Sequence, residues 1–208
     1  AIPARGYAAF DSDTIVSPAS GEAALRAAGA ACAAVDAVMA GESKAAFCAM
    51  RPPGHHAESM EAMGFCVFNT VAVAALQARV AHKLSRLAIF DFDVHHGNGT
   101  QAIFHDDPDT LYISTHQAPL YPGTGLLQER GIKGNILNRP LPPGTSGAAW
   151  HRVVERDVLP AIDGWRPQMI FISAGFDAHA DDPLASMALV EEDFAWVTRE
   201  LLLLADRH

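Results

Sequence analysis

Four short apolar runs in this chain each end in a cluster of polar residues, and this limits the fold more than any other feature. Ala45–Met50 runs into "RPPGHHAE", Leu87–Phe92 into "DFDVHHGN", Thr110–Thr115 into "STH", and Met169–Ala174 into "SAGFDAHADDP". Runs of this length read as buried strands. Between them lie segments with helical spacing. Ser17 followed by Pro18 reads as a helix start and Gly41 as its stop, with Leu25, Ala28, Cys32, Val35 and Met39 predicted on the buried face. Asn69 caps a second helix running to about His82, with Val73, Leu76 and Val80 predicted on its inner side. A short helix or turn is expected near Thr100–Phe104, a strand at Asn135–Leu141, and helices over Ala148–Ile162 and Glu191–Asp206. A loop rich in Pro and Gly spans His116–Gly134. The alternation predicts a single α/β domain over residues 1–208, built on a mainly parallel sheet covered on both faces. In such sheets ligands bind outside the carboxyl ends of the strands. The four polar motifs are therefore expected to converge on one pocket.

Composition excludes several classes of function. Of the 208 residues half are apolar, and the formal net charge is −9 with no run of basic residues, which argues against nucleic-acid binding. No apolar segment approaches the ~18 residues that span a bilayer, and the opening "AIPARGYAAF" lacks the pattern of a secretory signal. Cys32, Cys48 and Cys66 are odd in number and lack CxxC spacing. A reducing, cytoplasmic setting is the expectation. Ser114 and Ser173 lack a GxSxG elbow, and no glycine motif supports nucleotide binding.

Two acids, Asp91 and Asp93, interrupt an otherwise apolar strand, and burying an unpartnered carboxylate costs several kcal/mol. Asp93 and His95 lie two apart, so an extended backbone points them the same way, and Asp91 shares that parity. Asp177 follows another strand. Asp93, His95 and Asp177 together offer O, N and O donors with a fourth position left for water, the layout of a catalytic metal site. Zinc is the default, and oxygen-rich ligation also suits Fe(II), Co(II) or Mn(II). An Asp-rich strand end bonded to loop amides is the plainer alternative. His55 and His56, presented by a rigid "RPPG" loop, can act as base and acid if different partners split their pKa values. Asp91 is placed to raise one, and Asn98 to hold the other without adding charge. His96 is expected to point away from His95 into the core. Phe65 and Tyr121 are loop aromatics able to wall an apolar channel.

Taken together, "RPPGHHAE", "GFCVFNTVAVAA", "DFDVHHGNGTQAIF", "ISTHQAPLYPGTG" and "ISAGFDAHADDPLASM" resemble the histone deacetylase superfamily, including the acetylpolyamine amidohydrolases and acetoin-utilisation proteins. Asn98 and "RPPGHHA" resemble its bacterial and class II-like members. The resemblance implies an arginase-like three-layer α/β/α fold and zinc-dependent hydrolysis of an acetamide on lysine or a polyamine. It implies Asp93, His95 and Asp177 as zinc ligands and His55 and His56 as the tandem histidines that move protons around the attacking water. Asp91 then partners the first histidine, and Asn98 stands where many members have a second Asp. Phe65 and Tyr121 match the paired aromatics of the acyl-lysine tunnel. Asp91, Asp93, His95 and Ser114 match groups around a structural potassium ion. Charge and hydropathy predict no direct contact with nucleic acid or membrane, and an oligomer is left open.

The family also carries a tyrosine in a "GGY" motif beyond a further strand, where its hydroxyl stabilises the oxyanion. This chain ends at "LLLLADRH", and its tyrosines are Tyr7, Tyr112 and Tyr121. It reads as a fragment of a longer protein, or as a truncated member that also lacks the family's N-terminal portion. Two rivals stand beside the deacetylase. One is a non-catalytic metal or acyl-lysine binding module. The other is a binuclear manganese ureohydrolase, suggested by "FDAHADDP" but short of bridging acids.

Overall fold

The computed structural model describes residues 1–208, which form two compact units. The first comprises Ala1–Leu84 and Asn98–Ile103, the second Ser85–Gly97 and Phe104–His208. No helix is long and apolar enough to cross a membrane.

The first unit opens with a two-stranded antiparallel pair, β1 (Ala8–Ala9) and β2 (Ile15–Val16). Two helices follow, α1 (Ser20–Met39) and α2 (Thr70–His82), which pack on each other. The short helix α3 spans Asn98–Phe104. Asn69 caps α2 as expected, its side chain accepting from the Ala72 N–H at 3.1 Å. The start of α1 is shifted. Ala19, not Ser17, occupies the cap position, while the Ser17 N–H donates to Ser20 Oγ at 2.9 Å.

The expected buried faces of both helices need correction. Of the face predicted on α1 only Val35 is fully buried, alongside Ala24, Ala27 and Ala31, whereas Leu25 is 64% exposed. Thr70, Ala72, Ala74, Ala75 and Ala78 are buried on α2, and Leu76 and Val80 face outward. The separation between packed helices follows the size of the contacting side chains, and rows of alanine allow a close approach that leucine would block. Ala45–Met50 forms no strand either. No other segment pairs with it and Phe47 is 75% exposed, so neither a ladder nor burial holds it extended.

The second unit holds a four-stranded parallel sheet of β3 (Leu87–Asp91), β4 (Thr110–Gln117), β5 (Ile136–Leu141) and β6 (Met169–Ser173). Their order is β5-β4-β3-β6. Every residue of β3 and β4 is buried; β3 is apolar up to Asp91, whereas β4 carries buried polar side chains from Ser114 onward. Asp91 pairs in register with Ser114 on one side and Ser173 on the other, so β3 and β6 end level while β4 runs on to Gln117 beside β5. One face of the sheet, with Ala88, Phe90 and Phe92, packs on three helical segments. These are α4 (Gly147–Val153), α5 (Leu159–Trp165) and α6 (Glu191–Ala205). Each fully buried large apolar side chain here contributes roughly 1.5–3 kcal/mol.

The helix predicted over Ala148–Ile162 forms, but a π turn at Val154–Val158 joins α4 to α5. Trp150, Val154, Val158 and Ile162 recur every four residues, and all are essentially fully buried. In a regular α-helix that spacing drifts by about 40° at each step, or about 120° over the three. The wider π turn takes up the drift and keeps all four on the core.

Candidate functional site

Polar side chains gather where β3 ends. Asp91 is completely buried; its Oδ1 accepts the Asp93 N–H at 3.2 Å, and its Oδ2 lies 3.3 Å from the Tyr112 hydroxyl. That hydroxyl is shared with the Gly97 carbonyl at 3.2 Å. Burial, with the Asp91 charge beside it, pushes the Tyr112 phenol well above its ordinary range, so it stays a donor. Ser114, opposite Asp91, is fully buried with its Oγ 2.9 Å from His116 Nδ1. His116 Nε2 faces the Gly125 carbonyl at 3.1 Å. Burial, reinforced by His96, pushes this imidazole down to about 3, so it is neutral.

Two residues beyond the strand the chain bends, and three donors meet. His95 Nδ1 lies 3.0 Å from Asp93 Oδ1 and 2.9 Å from Asp177 Oδ2, and one donor atom from each residue falls within 4.8 Å of the other two. Backbone holds the acids in place. The Val94 N–H donates to Asp177 Oδ1 at 2.9 Å, and the His95 N–H to Asp93 Oδ1 at 2.8 Å. Gly175 lets Asp93 in, because a Cβ there would collide with its carboxylate. Burial opposes charge on His95, but its hydrogen bonds to Asp177 and Asp93 override this and push the imidazole up to about 10. Burial pushes Asp177 up as well, against the pull of His95. Two half-buried carboxylates around one imidazole need positive charge. A proton supplies one unit, while a divalent cation on these O, N and O donors supplies two and suits their chemistry. His96 turns elsewhere, as expected: it is 1% exposed, with Nδ1 2.7 Å from Thr124 Oγ1. Tyr121 places its ring 6.3 Å from that of His95 and is partly exposed.

In the first unit, His55 and His56 sit in a turn, both buried, with ring centroids 4.0 Å apart. His56 Nδ1 is 2.8 Å from Asn98 Oδ1, the partner expected for it. Asn98 Nδ2 in turn donates to Glu58 Oε1 at 3.0 Å. Gly64 lies against the His56 ring with φ +55, and a Cβ there would strike the imidazole. Phe65 follows with φ 67, a left-handed conformation rare for an aromatic residue, and is 58% exposed. Side-chain acceptors hold this pair. The Gly64 N–H donates to Asp11 Oδ2 at 3.2 Å and the Phe65 N–H to Thr14 Oγ1 at 3.0 Å.

Reading the residues alone missed Glu58, Tyr112, Gly64 and Gly175. Tyr112 had a signal in its parity with Ser114 on β4. Glu58, an exposed loop acid, had none.

Comparison with known proteins follows the same lines. The family model for the histone deacetylase domain matches residues 3–208. A histone deacetylase-like amidohydrolase of Pseudomonas aeruginosa is 44% identical over 212 residues, covering 100% of this chain and 56% of that protein. A probable deacetylase of Archaeoglobus fulgidus is 42% identical over 202 residues, covering 96% and 56% respectively. The crystal structure of the HDA15 HD domain superposes with a TM-score of 0.91 at 38% identity, over 96% of this chain and 58% of that one. The chain thus spans a little over half the length of these relatives, and it has the deacetylase-type α/β fold. By the match of nearly its whole length to the family model, the chain belongs to the histone deacetylase family.

Proposed function

We propose that the protein hydrolyses an acetamide on a lysine or polyamine side chain, using a divalent cation, zinc by default, bound to Asp93, His95 and Asp177. The observation that carries this reading is the meeting of those three donors at the end of β3 in a chain of this family. Such a cation, when bound, polarises a carbonyl and acidifies water toward neutral pH. The residues supply the rest. Asp93 and Asp177, fixed by the Val94 and His95 amides, keep the donor atoms together before the cation arrives. His56 holds Nδ1 2.8 Å from the Asn98 oxygen, and a hydrogen on Nδ1 would leave Nε2 to gain and lose a proton. We assign His55 and His56 the two proton transfers, with Asp91 orienting the first. Phe65 and Tyr121 flank the acyl chain, and Asp91, Asp93, His95 and Ser114 surround a structural potassium ion. An acidic chain suits cationic amine products, and three cysteines held in no disulfide suit a reducing cytoplasm.

The test uses the full-length protein loaded with zinc and assayed on an acetyl-lysine peptide and an acetylpolyamine. Asp177→Ala is expected to lose the bound zinc, with affinity falling by more than the ~10–100-fold that follows loss of an outer partner. Turnover is expected to vanish with it. A folded Asp177→Ala protein that keeps one zinc overturns the ligand assignment, and zinc retention without turnover in the wild type overturns the hydrolase.

A further inference from the structure

Asn98 sets a neutral amide against the His56 ring, and an amide in that place raises a difficulty. The two ends of a carboxamide differ only in O and NH2, so an asparagine beside a histidine serves either imidazole tautomer after a half-turn of its side chain. It specifies neither the tautomer nor a charge. In this protein the Asn98 side chain is not left to choose. Its Nδ2 donates to Glu58 Oε1 at 3.0 Å, with the Met63 Sδ at 3.4 Å and the His56 carbonyl at 3.5 Å on the same side. An ionised carboxylate only accepts, so the end of Asn98 that meets Glu58 must be the NH2. The oxygen therefore faces His56, and at 2.8 Å the His56 Nδ1 must carry a hydrogen. The loop that presents Glu58 is itself tied down, with its N–H donating to the Glu61 carbonyl at 2.9 Å and the Ala57 N–H to the Gly54 carbonyl at 3.1 Å.

We propose that Glu58 is a positioning residue for the reaction. Acting through Asn98, it fixes His56 as the Nδ1–H tautomer and lends the imidazolium the negative charge that Asn98 lacks. This rests on the reading of His56 as an acid–base group. Other groups pack against the ring. His55 stacks at 4.0 Å, and the Gly64 backbone covers the ring. The Cys66 thiol is engaged with the Gly64 carbonyl at 3.3 Å. Glu58 reaches this histidine through Asn98, and it is exposed to solvent.

The experiment reads His56 directly. In the full-length, zinc-loaded protein, nitrogen-15 spectra of the histidine rings without substrate are expected to show a single Nδ1–H tautomer in the wild type. In Glu58→Ala they are expected to show a mixture, with the His56 pKa lowered by about half to one pH unit. The matching limb of the kcat/KM profile moves by the same amount, and kcat falls by about three- to ten-fold while KM is unchanged. Glu58→Asp restores part of each. A wild-type His56 protonated on Nε2, or a Glu58→Ala protein whose tautomer and pKa are both unchanged, overturns the proposal. Because the spectra need no turnover, the two failures are distinct: a protein that hydrolyses no acetamide breaks the hydrolase reading and with it the role in the reaction, whereas turnover with an unchanged His56 tautomer and pKa in Glu58→Ala breaks the Glu58 assignment alone.

Discussion

The chain contains the dipeptide His-His twice, at 55–56 and at 95–96, and the two pairs are used differently. At 55–56 the backbone is in a turn, both rings are buried, and their centroids stand 4.0 Å apart. At 95–96 the backbone is leaving a strand, and the rings part. His95 goes to two carboxylates, and His96 goes to a threonine hydroxyl beside His116. Adjacency therefore says little about role. What separates His56, His95 and His96 is the atom facing Nδ1: an amide oxygen at His56, carboxylates at His95 and a hydroxyl at His96.

The sharpest test of that contrast replaces one member of each pair. His56→Ala is expected to cut turnover by about 10²–10⁴-fold while leaving bound zinc unchanged, as loss of a proton-transferring group does. His96→Ala is expected to leave the chemistry intact in the folded fraction but to lower stability by about 2–4 kcal/mol, since it opens a cavity where a fully buried ring stood. Steady-state rates and urea midpoints measured on both variants decide it. Equal losses of activity in both would break the comparison.

A smaller effect separates histidine titration from that of carboxylates. Asp157, 14% exposed, lies 2.8 Å from Arg156 and 2.6 Å from Arg139 on β5. The Arg156 hydrogen bonds, against partial burial and with help from Arg139, hold its carboxyl down at about 2. The folded state therefore binds this proton more weakly than the unfolded chain. Its contribution of roughly 1–2 kcal/mol is complete above the ordinary carboxylate range and is lost as pH falls toward 2. Urea midpoints at pH 3 and pH 6 should differ less in Asp157→Asn than in the wild type. An unchanged difference would assign the acid limb to other groups.

The smallest effect is a gain. Gly29 lies within α1 with open space where a Cβ would stand, so Gly29→Ala is expected to add about 0.5–1 kcal/mol. Far from His96 in sequence and sharing no partner with it, this gain should add to the His96→Ala loss. The double variant then compares rates at closer stability.

The sheet and the donor cluster were legible in the sequence for one physical reason. A parallel strand buried on both faces is apolar throughout, so Asp91 and Asp93 stand out against it, and the ends of such strands are where ligands collect. The helix faces were not legible, because hydropathy favours Leu25, Leu76 and Val80, whereas close packing favours the alanines beside them. Ala45–Met50 looked like a strand because composition carries no information about whether a neighbour is present to pair. Glu58 was invisible for a third reason. Its partner lies 40 residues away, and the exchange that matters is between two ends of one amide.

The π turn between α4 and α5 has a consequence for chain length. With one residue removed at Val154–Val158, Trp150 and Ile162 would stand eleven residues apart, and eleven residues make about three turns of a regular α-helix. Both side chains would then still face the core without any irregularity. The helix can therefore absorb a one-residue deletion at exposed Glu155 without turning either end away from the sheet. Asp93, His95 and Asp177 would keep their register through such a change. Variation in length among related chains has a harmless place to occur, on the sheet face whose helices carry none of those three donors.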